Sequence, residues 1–265
     1  MTTAGGPALV QPAGEVCDGL PAGWRLQVLE TVPSTSDLLI RSAEAGEPEG
    51  LALLARQQTA GRGRDGRLWA SPLGNLYLSA LLRPTGPARE AAQWSLLAGV
   101  ALAEAAAARD PDPASLHLKW PNDLLRHGAK AGGILAECAL ARDGPEGHGL
   151  DWLVLGFGAN LAAAPALPDR PTATLAEEAP ESFAARLIAA LDRWRAVQAA
   201  QGFAPIRVAW EVYGPERGAV LTVRSGLSTL SGRFAGLAEG GSLLLETERG
   251  LRRIAAGEVA GTEAR

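Results

Sequence analysis

The stretch from Arg89 to Ala108 constrains the fold of this chain more than any other. It has the residue types of a helix, dominated by Ala and Leu, and it is apolar nearly all round. A surface helix keeps one polar face, so a helix like this belongs inside a larger domain. With 265 residues, the chain is long enough to build that domain and bury a sizeable core. Apolar residues make up 47% and charged residues 20%, which excludes disorder, collagen and a coiled coil as whole-chain descriptions. No charge-free apolar run of about 18 residues occurs, so no membrane-spanning helix is expected.

Strand-like runs flank this helix. Trp24 to Leu29, Leu51 to Arg56 and Asn75 to Arg83 precede it. Leu116 to Trp120, Asp123 to Arg126, Gly132 to Leu140 and Trp152 to Leu161 follow it, with Pro121-Asn122 and His127-Gly128 as turns and Arg142 to Gly149 as a hairpin loop. Pro33 to Asp37 offers several N-cap side chains ahead of Leu38, Leu39 and Ile40. A helix to Ala45 is therefore expected, ended by Gly46 and Pro48. A helix from Glu181 to Ala200 puts Phe183, Leu187, Leu191 and Trp194 on one face, and a short helix from Ile206 ends at Gly214-Pro215. Beyond that point the texture changes. Ala219 to Arg224, Leu230 to Leu237, Ser242 to Glu246 and Leu251 to Ile254 read as short strands with Gly-rich turns, which suggests a small barrel. The expected division is a loose arm over 1–23, a large mixed-sheet domain over 24–214 and the barrel over 215–265.

The net charge of -4 argues against generic nucleic-acid binding. Cys17 and Cys138 are too few for a disulfide framework and lack partners at metal-ligand spacing, so both read as free thiols, Cys138 in the core. No role is apparent for Cys138 or for His117, His127 and His148. The N-terminus lacks the pattern of a signal peptide, and a cytoplasmic location is expected.

Among 25 basic residues only Lys119 and Lys130 are lysines. A chain that uses Arg almost everywhere retains Lys where a compact ammonium matters, because the two cations are not interchangeable. Three polar segments then stand out. Gly61 to Trp69 (GRGRDGRLW) alternates glycine with Arg62, Arg64 and Arg67. Glycine lets the backbone approach a ligand, Arg forks match phosphate or carboxylate oxygens, and Trp69 offers a flat face for a base. The same glycines spell G-x-G-x-x-G. Yet Pro72 interrupts any following helix, and no acidic residue occurs from Pro72 to Pro87, against a dinucleotide-binding oxidoreductase. The second segment, Lys119-Trp120-Pro121-Asn122-Asp123, is either a turn or a site at strand ends. In the third, Lys130 enters a strand whose Gly132 and Gly133 leave room against bare backbone.

GRGRDGRLW, KWPND and KAGGILAE, in this order and at these separations, resemble the biotin protein ligases. Ser34-Thr35-Ser36, Gln58 to Gly61 and Gly156-Phe157-Gly158-Ala159-Asn160 fit the same family. So do the C-terminal strands, closing with Ala256-Gly257-Glu258-Val259. The resemblance implies an α+β (mixed α/β) fold: a class II synthetase-like mixed sheet with helices, plus a small C-terminal SH3-like barrel. It implies activation of biotin with ATP and Mg²⁺ as biotinyl-5′-AMP, then transfer to a lysine in the biotin carrier domain of a carboxylase. By position in the family's motifs, Lys130 stabilises charge between the biotin carboxylate and the α-phosphate, and Arg62 and Arg64 close over the intermediate. Ser34, Thr35, Ser36 and Gln58 hold the ureido head, and the backbone at Gly61, Gly63, Gly132 and Gly133 passes close to the ligand. Arg67, Trp69, Asn122, Asp123 and Asn160 serve the adenylate side, with Asp123 as the one Mg²⁺ candidate.

Two residues depart from the family pattern. Ser36 stands where the family usually has Asn, so one ureido contact is lost or bridged by water. Asp65 replaces a usual Arg, lowers the charge of the loop and is placed to pair with a neighbouring Arg. Only 23 residues precede the first expected strand, too few for a three-helix DNA-binding module, so no DNA binding is expected, and no membrane binding. The oligomeric state is open between monomer and homodimer. A lipoate or octanoyl ligase and a non-catalytic biotin-binding sensor are the competing readings.

Overall fold

The computed structural model describes residues 14–16, 19–141, 149–226 and 228–262, and in it the chain builds two sheets. Its elements run β1 (Gly14–Val16), β2 (Arg25–Val32), α1 (Thr35–Glu44), β3 (Leu51–Gln58), β4 (Leu76–Leu82), α2 (Ala91–Ala107), β5 (Leu116–Lys119), β6 (Asp123–Arg126), β7 (Ala129–Leu140) and β8 (Leu150–Ala159). There follow α3 (Pro180–Gln201), α4 (Ala204–Tyr213), β9 (Val220–Ser225), β10 (Ser228–Leu237), β11 (Leu243–Thr247), β12 (Gly250–Ile254) and β13 (Glu258–Thr262). The first eight strands form one sheet in the order β1-β2-β3-β4-β8-β7-β6-β5. β2 and β3 are parallel, as a helical crossover through α1 allows. The other neighbours are antiparallel.

All seven residues of β4 are buried, so helices must cover both faces of the sheet at its centre. Leu76, Leu78, Ala80 and Leu82 face α2 and α3; Tyr77 and Leu81 face α1 with Leu39, Ala43, Val154 and Trp152. The all-apolar character of α2 is thereby explained. Leu97, Val100, Ala101 and Leu102 have no exposed surface. Each fully buried Leu or Val contributes about 1.5–3 kcal/mol relative to exposure. α1 starts where Ser34 caps it, its hydroxyl accepting from the Asp37 N–H at 3.3 Å.

The structure corrects several expectations. Gly14–Val16, inside the stretch read as a loose arm, pairs antiparallel with Leu26–Val28 as an edge strand. Cys138 is exposed, because the far half of β7 runs beyond its helical cover and alternates between half-buried and exposed residues. The C-terminal strands form an open antiparallel sheet, β12-β11-β10-β9-β13, and among the described residues its edge strands β12 and β13 do not pair to close a barrel. The hairpin loop expected over 142–149, with His148, lies outside the described residues apart from Gly149, as does Cys17. Phe234 of β10 meets Trp210 of α4 in a tilted ring contact, centroids 6.4 Å apart, and joins the second sheet to the main core. β13 then brings Gly257 and Glu258 beside the large sheet. Among the described residues no helix is long and apolar enough to cross a membrane.

Candidate active site

The cavity that concerns the function lies where β3, β4, β7 and β8 meet the loop 61–69 and the approach to β13. The loop folds back on itself. Trp69 N–H donates to the Gly61 carbonyl at 2.9 Å and Gly63 N–H to Arg67 at 2.7 Å. Arg64–Gly66 form a 3-10 turn. Asp65 (φ 56) and Gly66 (φ 72) lie in the left-handed region, where Gly has no penalty and Asp is tolerated.

This turn sends three guanidiniums to three places. Arg62 bridges Asp37 at 2.5 Å and Glu137 at 2.9 Å. Arg64 donates to the Asn122 side-chain oxygen at 3.2 Å, and Arg67 reaches Glu258 at 2.7 Å. Asp65 is exposed and, contrary to expectation, makes no ion pair among the described residues.

One part of the cavity is a neutral hydrogen-bonding cluster. Gln58 Oε1 accepts from the Thr35 N–H at 2.9 Å and from its hydroxyl at 3.1 Å. The Ser79 hydroxyl lies 2.8 Å from that of Thr35 and 3.0 Å from that of Ser36. Ser34, Thr35, Ser36 and Ser79 are all buried. Buried hydroxyls need partners, and here they partner one another around space in the same cavity. Gly156 lies beneath Ser36, with room for no side chain: a Cβ there would fall 2.6 Å from the Ser36 hydroxyl. Ser79 was not anticipated, although a lone polar residue in the apolar run Leu76–Leu82 was a visible signal.

Another part is ionic. Lys130 Nζ lies 2.6 Å from Asp123 Oδ1, with both side chains largely buried. Arg170 approaches Asp123 Oδ2 at 3.7 Å and Lys119 approaches it at 4.0 Å. Arg170 also pairs with Glu258 at 2.9 Å and Asp169 at 2.6 Å. The hydrogen bond from Arg67, followed by that from Arg170, outweighs burial and holds the Glu258 carboxyl down to about 2. Burial pushes the Lys119 ammonium down and the Tyr77 phenol up. Arg170 belongs to no motif, and no sequence signal marked it.

Trp69 joins the two parts: its carbonyl accepts from the Ser71 hydroxyl at 3.1 Å, and that hydroxyl accepts from Gln58 Nε2 at 3.4 Å. Its ring lies against the backbone of Gly158, and Lys130 Nζ sits 5.4 Å from the ring centroid. Gly133, opposite Gly158 in the β7–β8 register, also faces Trp69 and Lys130. Gly132 faces the other way, toward Leu102 and Leu124 in the core, and does not line the cavity. Gly61 likewise lies outside the lining and packs against Gln58 and the Trp69 carbonyl. Glycine at 61 and 132 therefore meets a demand for close packing behind the cavity wall. Asn122 donates to the Ile134 carbonyl at 2.7 Å while accepting from Arg64. Asn160 donates to the carbonyls of Ala173 and Lys130, at 3.1 and 3.4 Å. Both amides therefore fix the frame around the site. Apart from Gly61 and Gly132, the predicted residues, Ser34 to Ser36, Gln58, Arg62 to Arg64, Arg67, Trp69, Asn122, Asp123, Lys130, Gly133 and Asn160, all line this cavity.

The donor set does not suit a magnesium ion held by the protein. A hard divalent cation wants several oxygen ligands, yet the Asp123 carboxylate faces Lys130, Lys119 and Arg170. Among the described residues no group of three or more His, Cys, Asp or Glu is placed to hold a metal.

The model of the Biotin/lipoate A/B protein ligase family matches residues 28–143, and that of the Biotin protein ligase C terminal domain matches residues 222–260. A biotin–[acetyl-CoA-carboxylase] ligase of Paracoccus denitrificans is 39% identical over 219 residues, covering 78% of this chain and 88% of that protein. The bifunctional ligase/repressor BirA of Escherichia coli is 32% identical over 247 residues, covering 89% of this chain and 74% of BirA. Among solved structures, the biotin protein ligase of Aquifex aeolicus in complex with biotin and ATP superposes with a TM-score of 0.71 at 27% identity. That match covers 88% of this chain and 97% of the other.

Proposed function

The chain belongs to the biotin protein ligase family, and from that premise we propose that it activates biotin with ATP and transfers it to a carrier-domain lysine. In the first step a biotin carboxylate oxygen attacks the α-phosphorus. The bond from that phosphorus to the bridging oxygen breaks, and pyrophosphate leaves. In the second step the neutral amine of the acceptor lysine attacks the acyl carbon, the bond to the AMP oxygen breaks, and the amine loses its proton. The acceptor is a biotin carrier domain of the acetyl-CoA carboxylase type, in keeping with the name of the Paracoccus relative.

The observation that carries this reading is one chain of contacts. It runs from the hydroxyl and amide cluster of Thr35, Gln58 and Ser79 through the Ser71 hydroxyl to Trp69, then to Lys130, and by way of Asp123 to Arg170, Glu258 and Arg67. A ureido head needs buried hydrogen-bond partners, and the cluster offers both donors and acceptors. Two anions must then meet, which requires fixed positive charge at the junction. Lys130 stands next to the neutral part through Trp69 and next to the ionic part through Asp123. Arg62, now held by Asp37 and Glu137, and Arg64, held by Asn122, sit on a loop whose closure would keep water from the mixed anhydride. No step is assigned to a metal ion held by protein side chains.

The test is pyrophosphate release from ATP and magnesium with biotin or lipoate offered separately, in the wild type and in Lys130→Ala. Release with biotin alone, lost in the variant, is expected. Release with lipoate instead would move the chain to the sister activity. No release with either would leave a binding protein.

A further inference from the structure

Arg170 is not explained by any motif, yet it meets three carboxylates of the ionic cluster, Asp123, Asp169 and Glu258. Its backbone is fixed beside Lys130. The Lys130 N–H donates to the Pro171 carbonyl and the Ala173 N–H to the Lys130 carbonyl, each at 2.9 Å, and Lys130 and Thr172 form a parallel bridge. Its guanidinium is only 17% exposed and lines the same cavity as Lys130 and Arg67. Asp123 is shared between Lys130 and Arg170, and Glu258 between Arg170 and Arg67. Two carboxylates thus string three cations along one wall of the cavity.

We propose that Arg170 is a polyphosphate-binding residue of this site, acting with Arg67 on the β- and γ-phosphates of the nucleotide, beside Lys130 at the α-phosphate. The inference rests on the ATP-dependent reading above and adds to it a residue from outside the recurring motifs. The charge balance favours it. The cavity lining carries Arg62, Arg64, Arg67, Lys130 and Arg170 against Asp65, Asp123, Asp169 and Glu258, which leaves positive charge for an anion with many oxygens. The exchange is also inexpensive. The Asp169 carboxylate that occupies Nε and Nη2 of Arg170 is 57% exposed, and exposed ion pairs hold little free energy. Arg170 can turn those donors to a phosphate while Nη1 stays on Glu258, which keeps the fork oriented. Fork geometry matches phosphate oxygens bidentately.

A tie between the two sheets is the competing role, and the test separates the two. Pyrophosphate and AMP are used as product inhibitors of biotin-dependent pyrophosphate release by the full chain, beside the KM values for ATP and biotin. Wild-type release with biotin checks the parent reading by itself, so its failure is seen before any variant is made. In Arg170→Ala the inhibition constant of pyrophosphate and the KM for ATP are expected to rise tenfold or more. The AMP constant and the biotin KM should stay within threefold. Arg170→Lys, which keeps the charge and the Glu258 pair without the fork, should lie between. Thermal unfolding reports folding, and Arg170→Lys carries the test should the alanine variant not fold. An unchanged pyrophosphate constant in either folded variant would overturn the proposal. So would a parallel rise for AMP, biotin and pyrophosphate, the mark of a tie.

Discussion

Gly158→Ala would put one methyl group where the indole of Trp69 now lies. The Cβ would fall 2.5 Å from Trp69 Cζ2 and 2.8 Å from Nε1. Carbon atoms rest about 3.5–4.0 Å apart, so a displacement of about 1 Å is required. The backbone of Gly158 cannot supply it, because β8 is paired on both sides, to Tyr77 and to Gly133. Trp69 must move, and with it the loop that carries Arg62, Arg64 and Arg67. Overpacking of this kind costs typically 1–3 kcal/mol, and the loop should yield enough to keep the loss near the low end. Activity should suffer more, since misplacement by about 1 Å can cost ~100-fold. The control is Gly133→Ala in the facing strand, whose Cβ would meet Trp69 and Lys130 at an ordinary 3.4 Å. Both variants would be assayed for biotin-dependent pyrophosphate release and thermal unfolding. The expected result is a fall in kcat/KM of about 100-fold for Gly158→Ala with a modest change in Tm, and a fall of under about tenfold for Gly133→Ala. Near-wild-type activity in Gly158→Ala, or a larger loss in Gly133→Ala, would refute the role given to the Trp69 platform.

Lys130→Ala should also destabilise, because it leaves Asp123 buried with only Arg170 and Lys119 nearby at 3.7 and 4.0 Å. A loss of about 3 kcal/mol is expected from urea unfolding, and adding Asp123→Asn should restore stability without restoring activity. Glu258 gives a pH effect whose sign is fixed: its carboxyl is held down to about 2 from an ordinary 4.5. The stability it contributes, about 1 kcal/mol, is full above 4.5 and lost as the pH falls toward 2. The Tm difference between the wild type and Glu258→Gln should therefore be present at neutral pH and vanish below that window. Asn75, 1% exposed, accepts from the N–H groups of Leu161, Ala162 and Ala163 at 2.9–3.0 Å. Asn75→Ala should cost about 3 kcal/mol, and a loss under about 1 kcal/mol would mean that water replaces the amide. Ser36 should weaken retention of biotinyl-AMP, so dissociation from the purified protein should be measurable over hours and slower in Ser36→Asn. An undetectable off-rate in the wild type would contradict this.

Much of this molecule was legible in its residues. Alternation and turn types located the strands of both sheets except β1 and β13, and the apolar girth of α2 announced a helix between layers. Motif spacing picked out Lys130, the arginine loop and the Ser34–Ser36 segment, which the fold brings to one cavity. What was misread shares a cause. Cys138 looked like core because its neighbours are apolar, but burial depends on how far the helices extend over β7. Gly132 looked like ligand backbone beside Gly133, but successive residues of a strand face opposite sides, and only register decides which. The barrel was inferred from strand count, while closure depends on whether the edge strands meet.

Sequence therefore determined local preference and the chemistry carried by each motif, since these depend on neighbours within a few positions. Tertiary structure alone decided how charges are shared. Arg170, Glu258, Arg67 and Asp123 are far apart along the chain, and no periodicity relates them. An ion pair forms when folding brings two side chains within a few ångströms in a place water does not screen, a condition on distance and burial that residue order does not encode.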